Sequence, residues 1–139
     1  MEQVKSELKR MEENGIISPV EGHTKWCAGM VVVPKAKGKV RICVDLRKLN
    51  ESVLRENHPL PCVDYTLAQL AGANIFSKLD ANSGIWQISL SPESRPLTTF
   101  ITPFGRFWFN SGLPFGAASA LEHFQKRMSQ VFGNILRSG

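Results

Sequence analysis

Phe76-Ser77-Lys78-Leu79-Asp80-Ala81-Asn82-Ser83-Gly84-Ile85-Trp86-Gln87-Ile88 is the stretch on which the reading of this chain turns. Ile75, Phe76 and Leu79 read as an apolar strand, which delivers one carboxylate, Asp80, to a turn containing Asn82, Ser83 and Gly84. A strand end holds a carboxylate rigidly, and the free N–H groups of a following turn can receive an anion. Metal and phosphate chemistry both suit that pattern. Taken alone, Asp-x-x-Ser-Gly reads more plainly as a strand-end aspartate capping a helix. The rest of the chain tips the balance.

Downstream, 87–90 reads as a strand, 91–94 as one helical turn with Pro92 at its first position, and 98–102 as another strand. Pro103-Phe104-Gly105 turns the chain, 106–109 pairs back antiparallel, and Leu113-Pro114-Phe115-Gly116 breaks the pattern. The last element is a helix. Ser119-Ala120-Leu121-Glu122 is a capping-box pattern, and Leu121, Phe124, Met128, Val131, Phe132 and Ile135 form one apolar face suited to core packing.

Upstream, 1–13 reads as an amphipathic helix with Val4, Leu8 and Met11 on one face, stopped by Asn14-Gly15. A strand over 30–33, a turn over 35–39 and a strand over 40–44 make a basic-tipped hairpin. Val40, Ile42 and Val44 point to one side and Arg41 and Cys43 to the other, so Arg41 can reach a ligand without entering the core. A short helix follows Asp45. His58-Pro59-Leu60-Pro61 is extended, because a residue before proline is pushed away from helix, and marks a seam between subdomains. Asp64 is placed to cap a short helix whose Leu67, Leu70 and Ala71 face inward until Gly72 ends it. The architecture expected is α+β.

The 139 residues are one domain's worth, and 42% apolar content is that of a globular protein. No apolar run reaches membrane-spanning length and no signal peptide is evident, so the expected location is intracellular, in cytoplasm or nucleus, and not secreted, with no membrane partner. Cys27, Cys43 and Cys62 are odd in number and form no Cys-x-x-Cys. His23-x-x-x-Cys27 and His58-x-x-x-Cys62 repeat a ligand-like spacing, but the second pair straddles two prolines, so free buried thiols are expected over zinc. The net charge of +5 is concentrated: Lys35, Lys37, Lys39, Arg41, Arg47 and Lys48 face one acid, Asp45, within 35–48. Such an excess is either a solvated face or the footprint of a phosphate-bearing partner.

In this order the pieces resemble the fingers and front palm of reverse transcriptases of gypsy-like LTR retrotransposons. The resemblance covers nearly the whole chain. It runs through Val32-Val33-Pro34-Lys35, Val40-Arg41-Ile42-Cys43-Val44-Asp45-Leu46-Arg47, Leu49-Asn50, His58-Pro59-Leu60-Pro61, Phe76-Ser77-Lys78-Leu79-Asp80, Ser83-Gly84, Gln87-Ile88, Leu113-Pro114-Phe115-Gly116 and Phe124-Gln125. It implies a right-hand polymerase fold, with fingers over 1–57 and about 88–118 and partial palm over about 58–87 and 119–139. The implied activity is RNA-directed DNA polymerisation, a nucleotidyl transfer, on an RNA template and DNA primer with deoxynucleoside triphosphates.

Each matched position inherits an implied role. Asp80 resembles the first of three carboxylates holding two magnesium ions, with the Ala81 carbonyl a further ligand. Lys35 and Arg41 resemble finger residues that neutralise the triphosphate, and Ser83 and Gly84 give it backbone N–H groups. Ile85 stands where the family has Tyr or Phe beneath the sugar, and Phe115 and Gly116 lie beside nucleotide and template. The family's second and third carboxylates sit in a Tyr-x-Asp-Asp-like hairpin after the last helix. The 139 residues hold no such sequence, and Tyr65 is their only tyrosine. Asp45 matches a finger position with a structural pairing role.

A truncated, isolated chain is therefore expected to be inactive. Three readings follow: part of a retrotransposon polymerase, a non-catalytic nucleic-acid-binding module, and a degenerate relic of a transposable element. Ile85, Leu121 in place of a helix-start proline, and an extra residue at Ser111-Gly112 favour the relic. An unpaired strand before Asp80 would also expose an edge and an apolar face, so self-association or dependence on a partner is expected.

Overall fold

The computed structural model describes residues 1–55 and 57–136. Its core belongs to the first half of the chain and to residues 98–109. Helix α1 (Glu2–Glu13) buries Val4, Leu8 and Met11, the three residues its periodicity selects. Asn14 ends it, donating Nδ2–H to the Arg10 carbonyl at 2.7 Å, and Gly15 at φ 68° reverses the chain into β1 (Ile17–Pro19).

Strands β2 (Ala28–Pro34) and β3 (Val40–Val44) form the expected hairpin, with Val32 opposite Ile42. Lys37 and Gly38 take positive φ in its turn. Helix α2 (Arg47–Asn50) follows, then α3 (Val63–Gln69), β4 (Phe100–Thr102), β5 (Gly105–Phe109) and α4 (Ala120–Leu136). The five strands make one sheet in the order β1-β5-β4-β2-β3, antiparallel except where β4 runs parallel to β2. Phe100, Phe107 and Phe109 fill its centre beside Ile17, Ile42 and Val44, with α1 laid against β3 and β1. This mixed sheet with helices packed on it is the α+β architecture expected.

Several expectations fail, each for want of a partner or because of a local competitor. The strand read over 75–80 does not form. Ile75 is 90% and Leu79 77% exposed, and no described strand pairs with them. A strand is a pairwise object, so apolar β-formers without a facing ladder stay irregular. The intended inward face of α3 is exposed at Leu67 and Leu70 for the same reason, and α3 starts after Cys62, which leaves Asp64 in its first turn and not at the cap.

Residues 84–87 form a 3₁₀ turn where a strand was expected to begin, leaving a single bridge between Ser89 and Gly112. A Cβ on Gly112 would meet the backbone of Trp86, so this position accepts only glycine. The helical turn begun at Pro92 continues to Thr98, delaying β4 to Phe100. Thr98 and Thr99 account for this by donating their hydroxyls to the Arg95 and Pro96 carbonyls, each at 2.7 Å.

Ser119 has φ 60°, and its carbonyl accepts the His123 N–H at 2.8 Å as α4 begins. Leu121, Val131 and Phe132 on the apolar face of α4 remain exposed, and Ile135 lies outside the residues with described side chains. Cys27 and Cys62 are exposed and Cys43 half-buried, contrary to the expectation of buried thiols. No helix among the described residues is long and apolar enough to cross a membrane.

Candidate nucleotide and metal site

One cleft of about 360 Å³ gathers side chains from four separate parts of the chain. Helix α1 contributes Glu7, Arg10 and Met11, and the hairpin contributes Lys35, Arg41 and Ile42. Residues Asp80, Ala81, Asn82, Ser83 and Trp86 form the opposite wall, and Phe115 closes one end. Lys35, Arg41, Asp80, Ala81, Ser83 and Phe115 were all singled out from the sequence, and the fold brings these six together. Gly84, Ile85 and Gly116 do not line the cleft.

The hairpin aims its cations as the strand alternation requires. Arg41 faces away from buried Ile42 and Val44, and its guanidinium carbon stands 5.6 Å from the centre of the Phe115 ring. Phe115 in turn packs at 5.3 Å against Trp86. The Trp86 Nε1–H is buried without a hydrogen-bond partner among the described residues, a further donor within the wall.

At the turn, Ser83 is left-handed (φ 50°, ψ 45°), and its carbonyl accepts the Trp86 N–H at 2.9 Å. A left-handed residue before a helical turn makes a concavity of N–H groups of the kind that receives anions. Gly84 is close-packed: a side chain there would strike the Phe124 ring of α4. Gly84 thus couples the turn to the last helix, a packing role that its expected place in a phosphate-binding turn did not reveal.

Asn50, quoted above only as part of a motif, clamps the loop that carries Phe115. Its Nδ2–H donates to the Gly116 carbonyl at 2.8 Å, and its Oδ1 accepts the Ala118 N–H at 2.7 Å. Gly116 has φ 91°, which explains the glycine. Asp45, expected to have a structural pairing role, pairs with Arg47, accepting from Nη2 at 2.6 Å and Nε at 2.8 Å. Those side-chain hydrogen bonds hold its carboxyl well below the usual range, to about 2, so the pair stays charged at any ordinary pH. Sequence reasoning missed Glu7 and Arg10. Their i,i+3 spacing predicts the ion pair, but nothing local says that it stands in a cleft wall.

The fit of two magnesium ions is tested by the oxygen donors present. The cleft holds two carboxylates, Asp80 and Glu7, and both oxygens of Glu7 are committed to Arg10. Among the described residues no three His, Cys, Asp or Glu side chains cluster as a metal site. Hard divalent cations need several oxygen ligands at once. These residues alone do not make a two-metal site, and no step of chemistry is derived through one.

Residues 33–138 match the family described as reverse transcriptase (RNA-dependent DNA polymerase). The chain is 33% identical over 141 residues to the retrovirus-related Pol polyprotein from transposon 412 of Drosophila melanogaster, covering 97% of this chain and 11% of that one. It is 33% identical over 133 residues to the enzymatic polyprotein of cauliflower mosaic virus, strain CM-1841, covering 94% and 19%. The chain therefore spans only a small part of these relatives' length. In three dimensions it matches the foamy viral protease-reverse transcriptase solved in complex with double-stranded DNA, with TM-score 0.75 at 20% identity, covering 96% of this chain and 23% of that one.

Proposed function

The chain belongs to the reverse transcriptase family, and on that premise we propose that it is the nucleotide-gripping fingers and front palm of an RNA-directed DNA polymerase from a gypsy-like LTR retrotransposon. Fingers comprise 1–57 and about 88–118, and partial palm comprises about 58–87 and 119–139. Lys35 and Arg41 neutralise the triphosphate, Ser83 and Gly84 offer it N–H groups, and Phe115 and Gly116 flank nucleotide and template. Ile85 lies beneath the sugar. The observation that carries the reading is the single cleft shared by Lys35, Arg41, Asp80, Ser83 and Phe115, which joins an anion-binding wall to a carboxylate.

Members of the family use divalent metal ions. Asp80 and the Ala81 carbonyl would contribute to a magnesium site, and a complete two-metal site needs two further carboxylates that are not among these 139 residues. Primer extension by the purified chain with magnesium is therefore expected to yield no product. Magnesium and dATP are expected to shift the NMR signals of Lys35, Arg41, Ser83 and Gly84, and Asp80→Ala to weaken that binding by about tenfold. Shifts clustered away from the cleft would defeat the reading, whereas extension activity lost on Asp80→Ala would overturn only the expected inactivity of the isolated chain.

Val63, Tyr65, Leu67, Ile75, Phe76 and Leu79 are all large apolar residues exposed to solvent, a concentration within 17 positions that favours association. These side chains take a second copy of the chain or another polypeptide, so light scattering should show an apparent mass that rises with concentration. A monodisperse monomer with a cooperative melt would count against it.

A further inference from the structure

The Glu7–Arg10 pair stands in the wall of the Asp80 cleft and also of a second cleft, about 530 Å³, between α1 and the hairpin tip. Lys35 lines both clefts as well. Arg10 holds Glu7 by two bonds, from Nε to Oε2 at 2.9 Å and from Nη2 to Oε1 at 2.7 Å. Both carboxylate oxygens are thereby occupied. The Glu7 side chain is only 21% exposed, so water screens its charge incompletely. Among the described residues Lys35 has no ion-pair partner.

A half-buried carboxylate sharing two walls with a flexible ammonium is a natural partner for it. The competitor that prevents this pairing is the Arg10 fork, which matches a carboxylate in two places where lysine offers a single point charge. A Glu7 left unmatched would also repel an incoming polyphosphate, since it is the one carboxylate lining the cleft besides Asp80. We propose that Arg10 is a positioning residue for nucleotide binding: by saturating Glu7 it keeps the Lys35 ammonium free for the triphosphate. The proposal rests on the assignment of this cleft to the triphosphate.

The test titrates the chain with inorganic tripolyphosphate, reading the Lys35 ammonium and the backbone amides of residues 82–84 by NMR. Arg10→Gln is expected to weaken binding by about fivefold, the scale of one ion pair gained by the wrong partner. Glu7→Gln should not weaken it, and the double variant should return to the wild-type affinity, because with Glu7 gone Lys35 has nothing to lose itself to. Lys35→Ala should weaken binding by about tenfold and shrink the effect of Arg10→Gln to the repulsion from the unmatched Glu7 alone.

If Lys35→Ala weakens binding but Arg10→Gln does not, the proposal falls while the cleft assignment stands. If the double variant is as weak as Arg10→Gln alone, Arg10 acts by touching the ligand and the proposal is wrong. If the wild-type chain binds no tripolyphosphate, or Lys35→Ala changes nothing, the cleft assignment fails and the proposal with it. Val4, Leu8 and Met11, which anchor α1, are untouched by these changes.

Discussion

Replacing Lys35, Lys37, Lys39 and Arg41 together by glutamine is expected to cut affinity for an RNA/DNA hybrid by about 10²-fold at ~0.1 M salt, and to flatten the dependence of log affinity on log salt by about three units. All four side chains are exposed on the hairpin, and none forms an ion pair with another described residue. Each is thus free to displace a counterion from a phosphate, and lost counterion release is what the salt slope counts. The hairpin itself should survive, because its register rests on the backbone ladder from Met30–Val44 to Pro34–Val40 and on buried Ile42 and Val44.

Replacing Lys5 and Lys9, on the solvent face of α1, by glutamine serves as the control and should leave the slope nearly unchanged. Filter binding or fluorescence anisotropy across a salt series reads both variants. An unaltered slope in the quadruple variant would remove nucleic acid as the hairpin's partner, and with it the module reading.

The second large effect belongs to the core. Phe100→Ala is expected to destabilise the chain by about 3–5 kcal/mol, the usual range for emptying a phenylalanine site. Phe100 is 0% exposed, with ring centres 6.1 Å from Phe107 and 5.7 Å from Phe109. It also sits on the central strand. β4 joins the β1–β5 pair to the β2–β3 hairpin through a parallel contact of only two residue pairs, Ala28–Phe100 and Gly29–Ile101.

Against a total stability of about 5–15 kcal/mol for a small domain, that loss would leave little native protein at 37 °C. It would also uncouple the basic hairpin from the rest of the sheet. Urea denaturation followed by circular dichroism measures it. Phe104→Ala, at a turn position exposed to solvent, should move the midpoint little. A Phe100→Ala midpoint as close to wild type as that of Phe104→Ala would mean that the cluster is not the core.

Sequence reasoning succeeded where the deciding forces are local. The 3.6-residue period of Val4, Leu8 and Met11 placed α1, and the alternation over 40–44 placed Arg41 on the face opposite Ile42. It failed at 75–80, where a strand was read, although the exposure of its apolar residues was expected, and at α3, where Leu67 and Leu70 were read as facing inward. Burial is not a property of a segment. Ile75 and Leu67 have the composition of a core and lack a described surface to pack on, so they stay in solvent. Of the strand read over 87–90, Gln87 was lost to a 3₁₀ turn begun by left-handed Ser83, and the rest is reduced to the single bridge from Ser89 to Gly112.

The sequence by itself determined the hairpin with its cations, the amphipathic first helix, the turn that follows Asp80 and the family to which these belong. Each of those rests on side-chain period, turn chemistry or motif order, which are written along the chain. Only the tertiary structure decided which of these pieces meet. Asp80 and Lys35 are 45 positions apart, and the Glu7–Arg10 pair is further still, yet they line one cleft because α1 packs on β3 while the Asn82–Ser83 turn closes over it. Contacts over such separations depend on how whole elements pack and on the chain entropy of closing the loops between them, and no window of neighbouring residues records either.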